Sequence, residues 1–529
     1  MGIERWGIER WPGWARGLLN LAIILAVWEV IGQFQLIASG ALPPPSAVLV
    51  RLVVDWGDYP QHIGATLFGA AAGFVIGNVV AVAAGVLFAL YPVTSRIARG
   101  LNVAIFALPP IAISPILVLT LNDPAPRIVL AALGCYFVTM TATVVGLTQA
   151  DARAVDVVRA YGGGKWKALV LVQARSALST ILSGLRVAAP NAVLGSILAE
   201  FGGGGRWGLG VYLLGSLGRA EPDRLWGIGL VATGIAALAY FAFAAIAGVA
   251  TRGTQAVTVP SAVLSSGDRP RPLWQQVAIV LASIALPFAI WWLLLVLLRV
   301  PAMIAKTPPL LFDYLFLLPS APIAQGKLLA ALAETLPMTL VGMLAGLALA
   351  FALALTSQIR PGIVRAFMPI ALVTQTMPLV ALTPLLVLML GRGPAVILWI
   401  TISVTFFPAF VTMAQGLLLV PRAALDVPRA YGAGIVKQLR LVSVPASLPY
   451  LFAATRLTVP RALLGVMIAE WLATGTGLGN LLNQSRGYLD YGMIWAVAVV
   501  SVLISVLFYQ LVVVIERRTL GRLGMAVAE

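Results

Sequence analysis

Apolar runs of bilayer length recur along the whole chain and alternate with short polar segments. A transmembrane helix needs about 20 consecutive, predominantly apolar residues, and about twelve runs meet this requirement. The six in the first half lie at approximately 17–38, 64–90, 98–121, 127–149, 177–200 and 225–250. The six in the second half lie at approximately 274–298, 335–356, 364–390, 394–419, 447–470 and 491–515. The pattern therefore predicts an all-α, polytopic membrane protein.

The composition agrees with a membrane environment. Of the 529 residues, 60% are hydrophobic and 10% are charged, whereas soluble domains have about 45–50% and about 25%. The 35 Lys and Arg residues against 19 Asp and Glu fit cytoplasmic loops better than nucleic-acid binding, which needs basic clusters on a soluble face. With the N-terminus inside, the cytoplasmic loops hold roughly twice as many basic residues as the opposite side. Both termini are therefore predicted to be cytoplasmic.

Two scarce residue types exclude several classes of chemistry. A single cysteine, Cys135, rules out an internal disulfide framework and a cysteine-based zinc site. A single histidine, His62, rules out a metal site built on a histidine pair and leaves little material for a Ser–His–Asp triad. A membrane-embedded enzyme is therefore improbable.

The two halves of the chain repeat each other at an offset of 269–270 residues. Asp156–Lys167 (DVVRAYGGGKWK) aligns with Asp426–Lys437 (DVPRAYGAGIVK), and 8 of the 12 positions are identical. Each half contains an even number of spans, so both enter the membrane in the same direction as a parallel repeat. A segment rich in Ser, Thr, Gly and Pro at 251–273 predicts a flexible cytoplasmic linker between repeats at 1–250 and 274–529.

The repeated block lies on the cytoplasmic side, between the fourth and fifth spans of each half. Asp156 and Asp426 are expected near the start of a short helix, where a carboxylate interacts favourably with the helix dipole. Gly162 and Gly432 allow a sharp change of chain direction after that helix. Taken alone, each block could be an ordinary interfacial helix with a glycine cap. Its duplication in register favours a docking surface for a cytoplasmic partner that is contacted twice.

These blocks resemble the EAA loop of permeases from binding-protein-dependent ABC importers, whose pattern is E-A-A, three residues, G, nine residues and I-x-L-P. In the second half Asp426 replaces the Glu, Gly432 is the Gly, and Val442–Pro445 replaces I-x-L-P. In the first half Asp156 and Gly162 fit, but Val172–Arg175 lacks the proline. Arg456–Leu482 is similar to the nitrate/sulfonate/bicarbonate/taurine branch of this family.

The resemblance implies a type I importer fold in the bacterial inner membrane, with two permease halves fused into one chain. It implies that each block is a coupling helix that docks into one of about two cytoplasmic ATPase subunits, and that an extracytoplasmic binding protein delivers the substrate. The coupling residues would be Asp156, Arg159, Ala160, Tyr161, Gly162 and Gly164 in the first half, and Asp426, Arg429, Ala430, Tyr431, Gly432 and Gly434 in the second. The branch includes carriers of small anions and of vitamin and pyrimidine precursors.

The chain is expected to carry no motor or cofactor of its own. A P-loop has the pattern G-x-x-x-x-G-K-[ST], and the closest stretch, Gly162–Trp166, has Trp where Ser or Thr would bind magnesium. ATP and magnesium are therefore expected on the partner ATPase. The alternative is a secondary transporter driven by an ion gradient, which also uses parallel repeats but favours acidic or histidine relays within the membrane.

Three ionisable residues within the spans are candidates for the pathway or gate, because such residues are costly in a membrane and often functional. Glu200 and Glu470 occupy corresponding positions near the outer ends of the fifth spans. Two interpretations stay open for them: side chains at the membrane interface, or side chains that line the seam between the halves or support an outer gate. Arg461 lies deeper, opposite Asn191, and is a candidate for attracting anions.

Overall fold

Helices form all the regular secondary structure in the part of the chain that the computed structural model describes, which is 13–36, 42–203, 205–219, 221–250, 272–360, 362, 383, 386–387 and 389–524. The helices of the first half are α1 (Gly13–Gln33), α2 (Pro45–Val54), α3 (Tyr59–Leu90), α4 (Pro92–Ile97), α5 (Arg99–Ala107), α6 (Pro110–Thr120), α7 (Ala125–Thr148), α8 (Ala152–Ala160), α9 (Lys165–Phe201), α10 (Leu209–Gly218) and α11 (Pro222–Ala250).

The helices of the second half are α12 (Leu273–Leu297), α13 (Pro308–Leu317), α14 (Ala321–Ile359), α15 (Pro394–Leu418), α16 (Arg422–Ala430), α17 (Ile435–Thr474), α18 (Gly477–Gly487) and α19 (Tyr491–Arg522). Within the described residues, nine helices are long and apolar enough to cross a bilayer. They are α3, α7, α9, α11, α12, α14, α15, α17 and α19. The prediction of an all-α polytopic fold is confirmed. The predicted span at 364–390 and the linker at 251–273 lie almost entirely outside the described residues.

The predicted span at 98–121 is not a straight helix. It consists of α5 and α6, which meet at an angle of 96°. Leu108 and Pro109 between them have extended backbone conformations. Consecutive prolines at 109 and 110 explain the break, because proline has no N–H to continue the helix and disfavours helical geometry in the residue before it. The predicted span at 17–38 corresponds to α1, which ends earlier, at Gln33.

Glycines let two pairs of helices pack closely, as is common between membrane-spanning helices. A Cβ atom added at Gly73 or Gly77 of α3 would overlap the backbone of α7. In the second half, Gly342 and Gly346 of α14 leave room for Thr401 and Thr405 of α15. Glycines therefore allow close packing of α3 against α7 and of the corresponding pair, α14 and α15.

The two repeats meet along a seam that includes the broken helix of the first half. Helix α6 contacts α17, α18 and α19 of the second half, and α5 contacts α12, α17 and α19. The backbone N–H of Gly100 donates to Oγ of Ser283 across this boundary, at 2.7 Å. Helices α9 and α17 are the central helix of each repeat, since α9 contacts α3, α6, α7, α10 and α11, and α17 contacts α14, α15, α18 and α19.

Candidate functional site

The two repeated blocks form the same exposed structure. Helix α8 ends at Ala160 and is followed by Gly162 with φ of 77°; α16 ends at Ala430 and is followed by Gly432 with φ of 72°. In the first block the N–H of Gly163 donates to the carbonyl of Val158 at 2.8 Å, which ties the turn back onto its helix. The second block has the equivalent bond at 2.9 Å. Only glycine adopts this left-handed conformation without strain.

A tyrosine projects from the end of each of these helices. Tyr161 is 90% exposed and Tyr431 is 89% exposed. A large aromatic side chain left in solvent is typical of an interface residue. Neither Gly162 and Gly432 nor the glycines two positions further on, Gly164 and Gly434, would meet a neighbour if a Cβ atom were added. The turns are therefore open to a partner at these four glycines.

The charged residues of the blocks pair with each other. Arg159 lies 3.3 Å from Asp156, and Arg429 lies 3.5 Å from Asp426. All four side chains are more than half exposed, so each pair contributes little to folding. The expected position of the two aspartates near the helix start is wrong, because both lie in the middle of their helices. Asp151 caps α8 instead, by accepting from the N–H of Arg153.

Exposed apolar side chains extend the surface beyond the tyrosines. Val157, Trp166 and Val170 are more than half exposed in the first block. In the second block a groove of about 460 Å³ is lined by Val427, Pro428, Tyr431, Ala433, Lys437, Leu441 and Val442. Both blocks are followed by one wide π-helical turn, at Leu169–Gln173 and Leu439–Ser443. The two surfaces agree in backbone but differ in side chains, since Lys165 and Trp166 correspond to Ile435 and Val436.

Glu200 and Glu470 form a second duplicated arrangement, at the other end of α9 and α17. Each is buried, with 0% and 1% of its surface exposed. Oγ1 of Thr66 donates to Oε1 of Glu200 at 2.7 Å, and the N–H of Gly210 donates to Oε2 at 2.7 Å. Both carboxylates are therefore shielded from solvent inside the protein.

The second half repeats this geometry. Oγ1 of Thr335 donates to Oε1 of Glu470 at 2.7 Å, and the N–H of Gly479 donates to Oε2 at 2.9 Å. The same threonine oxygens accept from the N–H groups of Leu209 and Leu478, in the first turns of α10 and α18, at 2.9 Å in both halves. Each carboxylate and threonine together satisfy the free N–H groups at the start of a short helix. We call these two arrangements the threonine–glutamate clasps.

Glycines at the start of α10 and α18 make the clasps sterically feasible. A Cβ atom at Gly208 or Gly477 would overlap the carboxylate of Glu200 or Glu470. Both glycines have positive φ, 156° and 77°. The chain can therefore reach the carboxylate only where no side chain intervenes. The sequence contained a signal for the clasps, because Thr66 and Thr335 align in the repeat, but sequence reasoning did not connect them with the glutamates.

The surroundings of the clasps differ between the halves. The ring of His62 stacks on Tyr212 in the first half, with centroids 4.5 Å apart. Its Nδ1 lies 2.8 Å from the carbonyl oxygen and 3.1 Å from the backbone nitrogen of Gly208. In the second half Glu334 instead accepts from the N–H of Gly477 at 2.7 Å. His62 therefore contacts the polypeptide backbone directly before α10.

An ion-pair network missed by sequence reasoning lies beside the first clasp. Arg224 of α11 donates to both carboxylate oxygens of Asp55, at 2.6 and 3.0 Å, and also pairs with Glu221. Arg51 also pairs with Asp55, through the same Oδ2 that Nε of Arg224 contacts, at 2.8 Å. The Arg224 guanidinium holds the pKa of Asp55 below its ordinary value of 3.8, against the opposing effect of burial. The network joins α2 to α11. It has no aligned counterpart in the second half, because Ala324 aligns with Asp55 and Met493 aligns with Arg224.

Arg461 lies away from all these clusters. It is partly buried on α17 and forms no hydrogen bond or ion pair with any residue in the described ranges. Its counterpart Asn191 donates to the carbonyl of Gly134 at 3.5 Å. The neighbouring Arg456 behaves differently, because it pairs with buried Glu516 of α19 at 3.1 Å.

Comparison with known proteins identifies the class of protein. The sequence profile described as "Binding-protein-dependent transport system inner membrane component" matches twice, at 77–255 and 346–521, which is more than half of the chain. The chain belongs to this family, as a multi-pass inner-membrane protein with two fused permease repeats. The prediction of a fused permease is confirmed.

Three relatives show how one repeat corresponds to one shorter permease. A probable ABC transporter permease of Haemophilus influenzae is 30% identical over 32% of this chain and 68% of its own length. The riboflavin transport system permease protein RibX of Chloroflexus aurantiacus is 30% identical over 29% of this chain and 57% of its own length. The putative aliphatic sulfonates transport permease protein SsuC of Bacillus subtilis is 28% identical over 36% of this chain and 70% of its own length. The match to RibX thus spans little more than half of that relative.

Proposed function

We propose that this chain forms the translocation path of an ATP-driven importer and docks two cytoplasmic ATPase subunits, one on each repeated block. The observation that carries this proposal is the duplication of an exposed helix, tyrosine and glycine turn at Tyr161 and Tyr431. Two copies of one surface on the same side of the membrane fit two copies of one partner. The residues proposed to make the contact are Asp156, Arg159, Ala160, Tyr161, Gly162 and Gly164, with Asp426, Arg429, Ala430, Tyr431, Gly432 and Gly434.

The blocks would transmit force because they are continuous with the central helices. Only the short turn that ends at Gly164 separates α8 from α9, and only the turn that ends at Gly434 separates α16 from α17. A movement of a docked subunit would therefore pass directly to the helix that carries each clasp. ATP and magnesium bind to the partner in this scheme, both chain termini face the cytoplasm, and an extracytoplasmic binding protein delivers the substrate.

The clasps and Arg461 have proposed places in the same cycle. Glu200 and Glu470 anchor α10 and α18 to the outer ends of α9 and α17, so they would couple the central helices to an outer gate. Arg461 lies on a central helix that contacts the first repeat, which favours a position along the path. The printed names of the relatives mention riboflavin and aliphatic sulfonates, so they do not single out one cargo for this chain.

The test is purification of the tagged chain from its native membrane in mild detergent, followed by identification of the copurifying chains and an ATPase assay. We expect an ATPase in about two copies per chain. Replacing Tyr161 or Tyr431 with Ala should release it without lowering the thermal stability of the permease, because both side chains are exposed.

Glycine variants supply a matched control for the same experiment. Gly162→Trp and Gly432→Trp place a bulky side chain on the docking turns and impose the strain of a positive φ. Gly391→Trp imposes the same strain at an equally open position, with φ of 76°, but outside the blocks. Loss of the ATPase from the first two variants alone supports the proposal. A chain that purifies alone and transports in liposomes without ATP would overturn it in favour of an ion-driven transporter.

A further inference from the structure

One arginine joins the two repeats at the end of the central helices that lies opposite the repeated blocks. Arg486 of α18 reaches across the boundary, and its Nη1 donates to the backbone carbonyl of Phe201 at 3.4 Å. Phe201 is the last residue of α9. The last four carbonyls of a helix have no partner within the helix, and they form the negative end of its dipole. A cationic side chain of the second repeat therefore completes the central helix of the first.

Other bonds hold this end of α9 within the first repeat. Oγ of Ser114 on α6 donates to the carbonyl of Leu198 at 2.9 Å. The N–H of Gly203 donates to the carbonyl of Glu200 at 3.1 Å. Of these bonds, the one at Phe201 alone connects the two repeats. A separation of the repeats at this end would therefore break that bond and leave the others in place.

A run of four glycines leaves room for the arginine. Residues 202–205 are all glycine, whereas the second repeat is one residue shorter here and has Leu472–Thr474 after its tryptophan. A Cβ atom added at Gly203 would lie 2.9 Å from Nη2 of Arg486. Any side chain at this position would therefore push the guanidinium group away from the end of α9.

The central helix of the second repeat ends in a different way. After Thr474 the chain turns at Gly475, whose φ of 74° is the left-handed conformation that commonly terminates a helix. The side chain of Asn480, in the same repeat, donates to the carbonyl of Gly475 at 2.6 Å. Leu217 aligns with Arg486, and a leucine side chain cannot donate a hydrogen bond. The connection between the repeats is therefore asymmetric.

Helix α18 links this contact to the clasp of the second repeat. Thr335 and Glu470 hold the N–H groups at the start of the helix, and Arg486 is the residue before its end at Gly487. The 11 residues of α18 form a rod of about 16 Å. A movement of α17 would therefore pass through the clasp and α18 to the guanidinium group.

We propose that Arg486 is a latch that holds the outer ends of the two repeats together and stabilises the state in which the path is closed to the outside. This inference rests on the proposed function, which places this end of the central helices outside the membrane. The acceptor is a neutral carbonyl, so the bond can open without leaving a carboxylate unpaired. In the open state water would replace the guanidinium as the donor to Phe201.

A pair of spin labels tests the latch in the full chain, reconstituted in lipid nanodiscs. Native Cys135 is first changed to Ala, and Arg219→Cys and Tyr488→Cys then carry the labels. These two residues align in the repeat, follow α10 and α18 directly, and are both exposed. Pulsed electron spin resonance measures the distribution of distances between the labels, which reports whether the outer ends are together or apart.

We expect a longer distance to appear in Arg486→Leu, with the ratio of closed to open chains reduced about tenfold, because a hydrogen bond from a charged donor is lost. Arg486→Lys should keep the distribution of the native chain, since an ammonium group also donates to a carbonyl. Arg392→Leu is the matched control for charge. Arg392 is an exposed residue of the second repeat, before α15, and is predicted on the same side of the membrane.

Two glycine variants test the same contact from the first repeat and leave the arginine in place. Gly203→Ala puts a Cβ atom against the guanidinium group, at φ of 94°. Gly475→Ala imposes a similar strain at φ of 74°, where a Cβ atom meets nothing. The longer distance should appear in the first variant and not in the second.

Three results would overturn the proposal. An unchanged distribution in Arg486→Leu, or in Gly203→Ala if the leucine variant does not fold, would mean that the contact does not hold the repeats together. The same change in Arg392→Leu would make it a general effect of charge. The same change in Arg486→Lys would assign it to the packing of the side chain. The measurement needs no ATPase, so its failure is distinguishable from failure of the docking proposal, which is decided by copurification.

Discussion

Removal of the Thr66 hydroxyl should loosen the start of α10. In Thr66→Val the N–H of Leu209 loses its acceptor at 2.9 Å and the buried carboxylate of Glu200 loses a donor at 2.7 Å. An unsatisfied buried polar group costs about 1–3 kcal/mol, so we expect a local cost of about 2–3 kcal/mol. At 1.4 kcal/mol for each factor of ten, the local opening equilibrium should increase about 30- to 140-fold.

Hydrogen exchange of the reconstituted chain, measured by mass spectrometry, reports this opening directly. Peptides that cover the first turn of α10 should exchange faster in Thr66→Val by the same factor, while those of α18 should not change. Thr143→Val is the matched control. Thr143 is also fully buried, but its hydroxyl donates only to the carbonyl of Thr139 in its own helix.

Two outcomes would refute the reasoning. One is unchanged exchange at the start of α10 in Thr66→Val, which would mean that the clasp does not hold this helix. The other is the same acceleration in Thr143→Val, which would mean that any loss of a buried hydroxyl loosens the bundle. The equivalent change in the second half, Thr335→Val, should affect α18 in place of α10.

Three further predictions concern stability and can be measured by thermal unfolding in detergent. Gly477→Ala should be more destabilising than Gly475→Ala, because both have positive φ but only at 477 would the Cβ overlap a carboxylate; equal effects would exclude the steric argument. Asp55 has a pKa held below 3.8 by Arg224, so its stabilising effect is present above about pH 4 and is lost as the pH falls through its folded pKa; Asp55→Asn should remove that acid dependence, and an unchanged profile would contradict it. Arg456→Met should cost about 3–5 kcal/mol by stranding the buried carboxylate of Glu516, and the double variant with Glu516→Leu should recover most of the loss; no recovery would show that the arginine acts through packing.

The parts of the site that lie close together in the chain could be predicted from sequence. The residues Asp426 to Gly434 are contiguous, so the short helix, the exposed tyrosine and the glycine turn follow from local preferences and are repeated in the other half. Even here the predicted start of α8 is wrong. Sequence reasoning places Asp156 near the helix start, whereas the residue at the N-cap is Asp151. Local sequence does not decide between two carboxylates so close together.

The clasps could not be derived in the same way. Glu200 and Glu470 were recognisable as paired carboxylates near the ends of spans, but an interfacial and a buried position were both compatible with that sequence. Thr66 lies 134 residues from Glu200, and only the packing of α3 against α9 brings them to 2.7 Å. The Asp55–Arg224 pair spans 169 residues and has no trace in the repeat, because its members align with an alanine and a methionine.

The sequence by itself determined that this is a membrane protein. It also determined the helical secondary structure, the duplication and the family. These properties depend on composition, on the length of apolar runs and on residues adjacent in the chain, all of which are local. Only the tertiary structure decided that both glutamates are buried in clasps and that Arg461 has no counter-charge among the described residues. Burial and pairing depend on which helices are neighbours, and apolar helices of similar length contain little information about their neighbours until they pack.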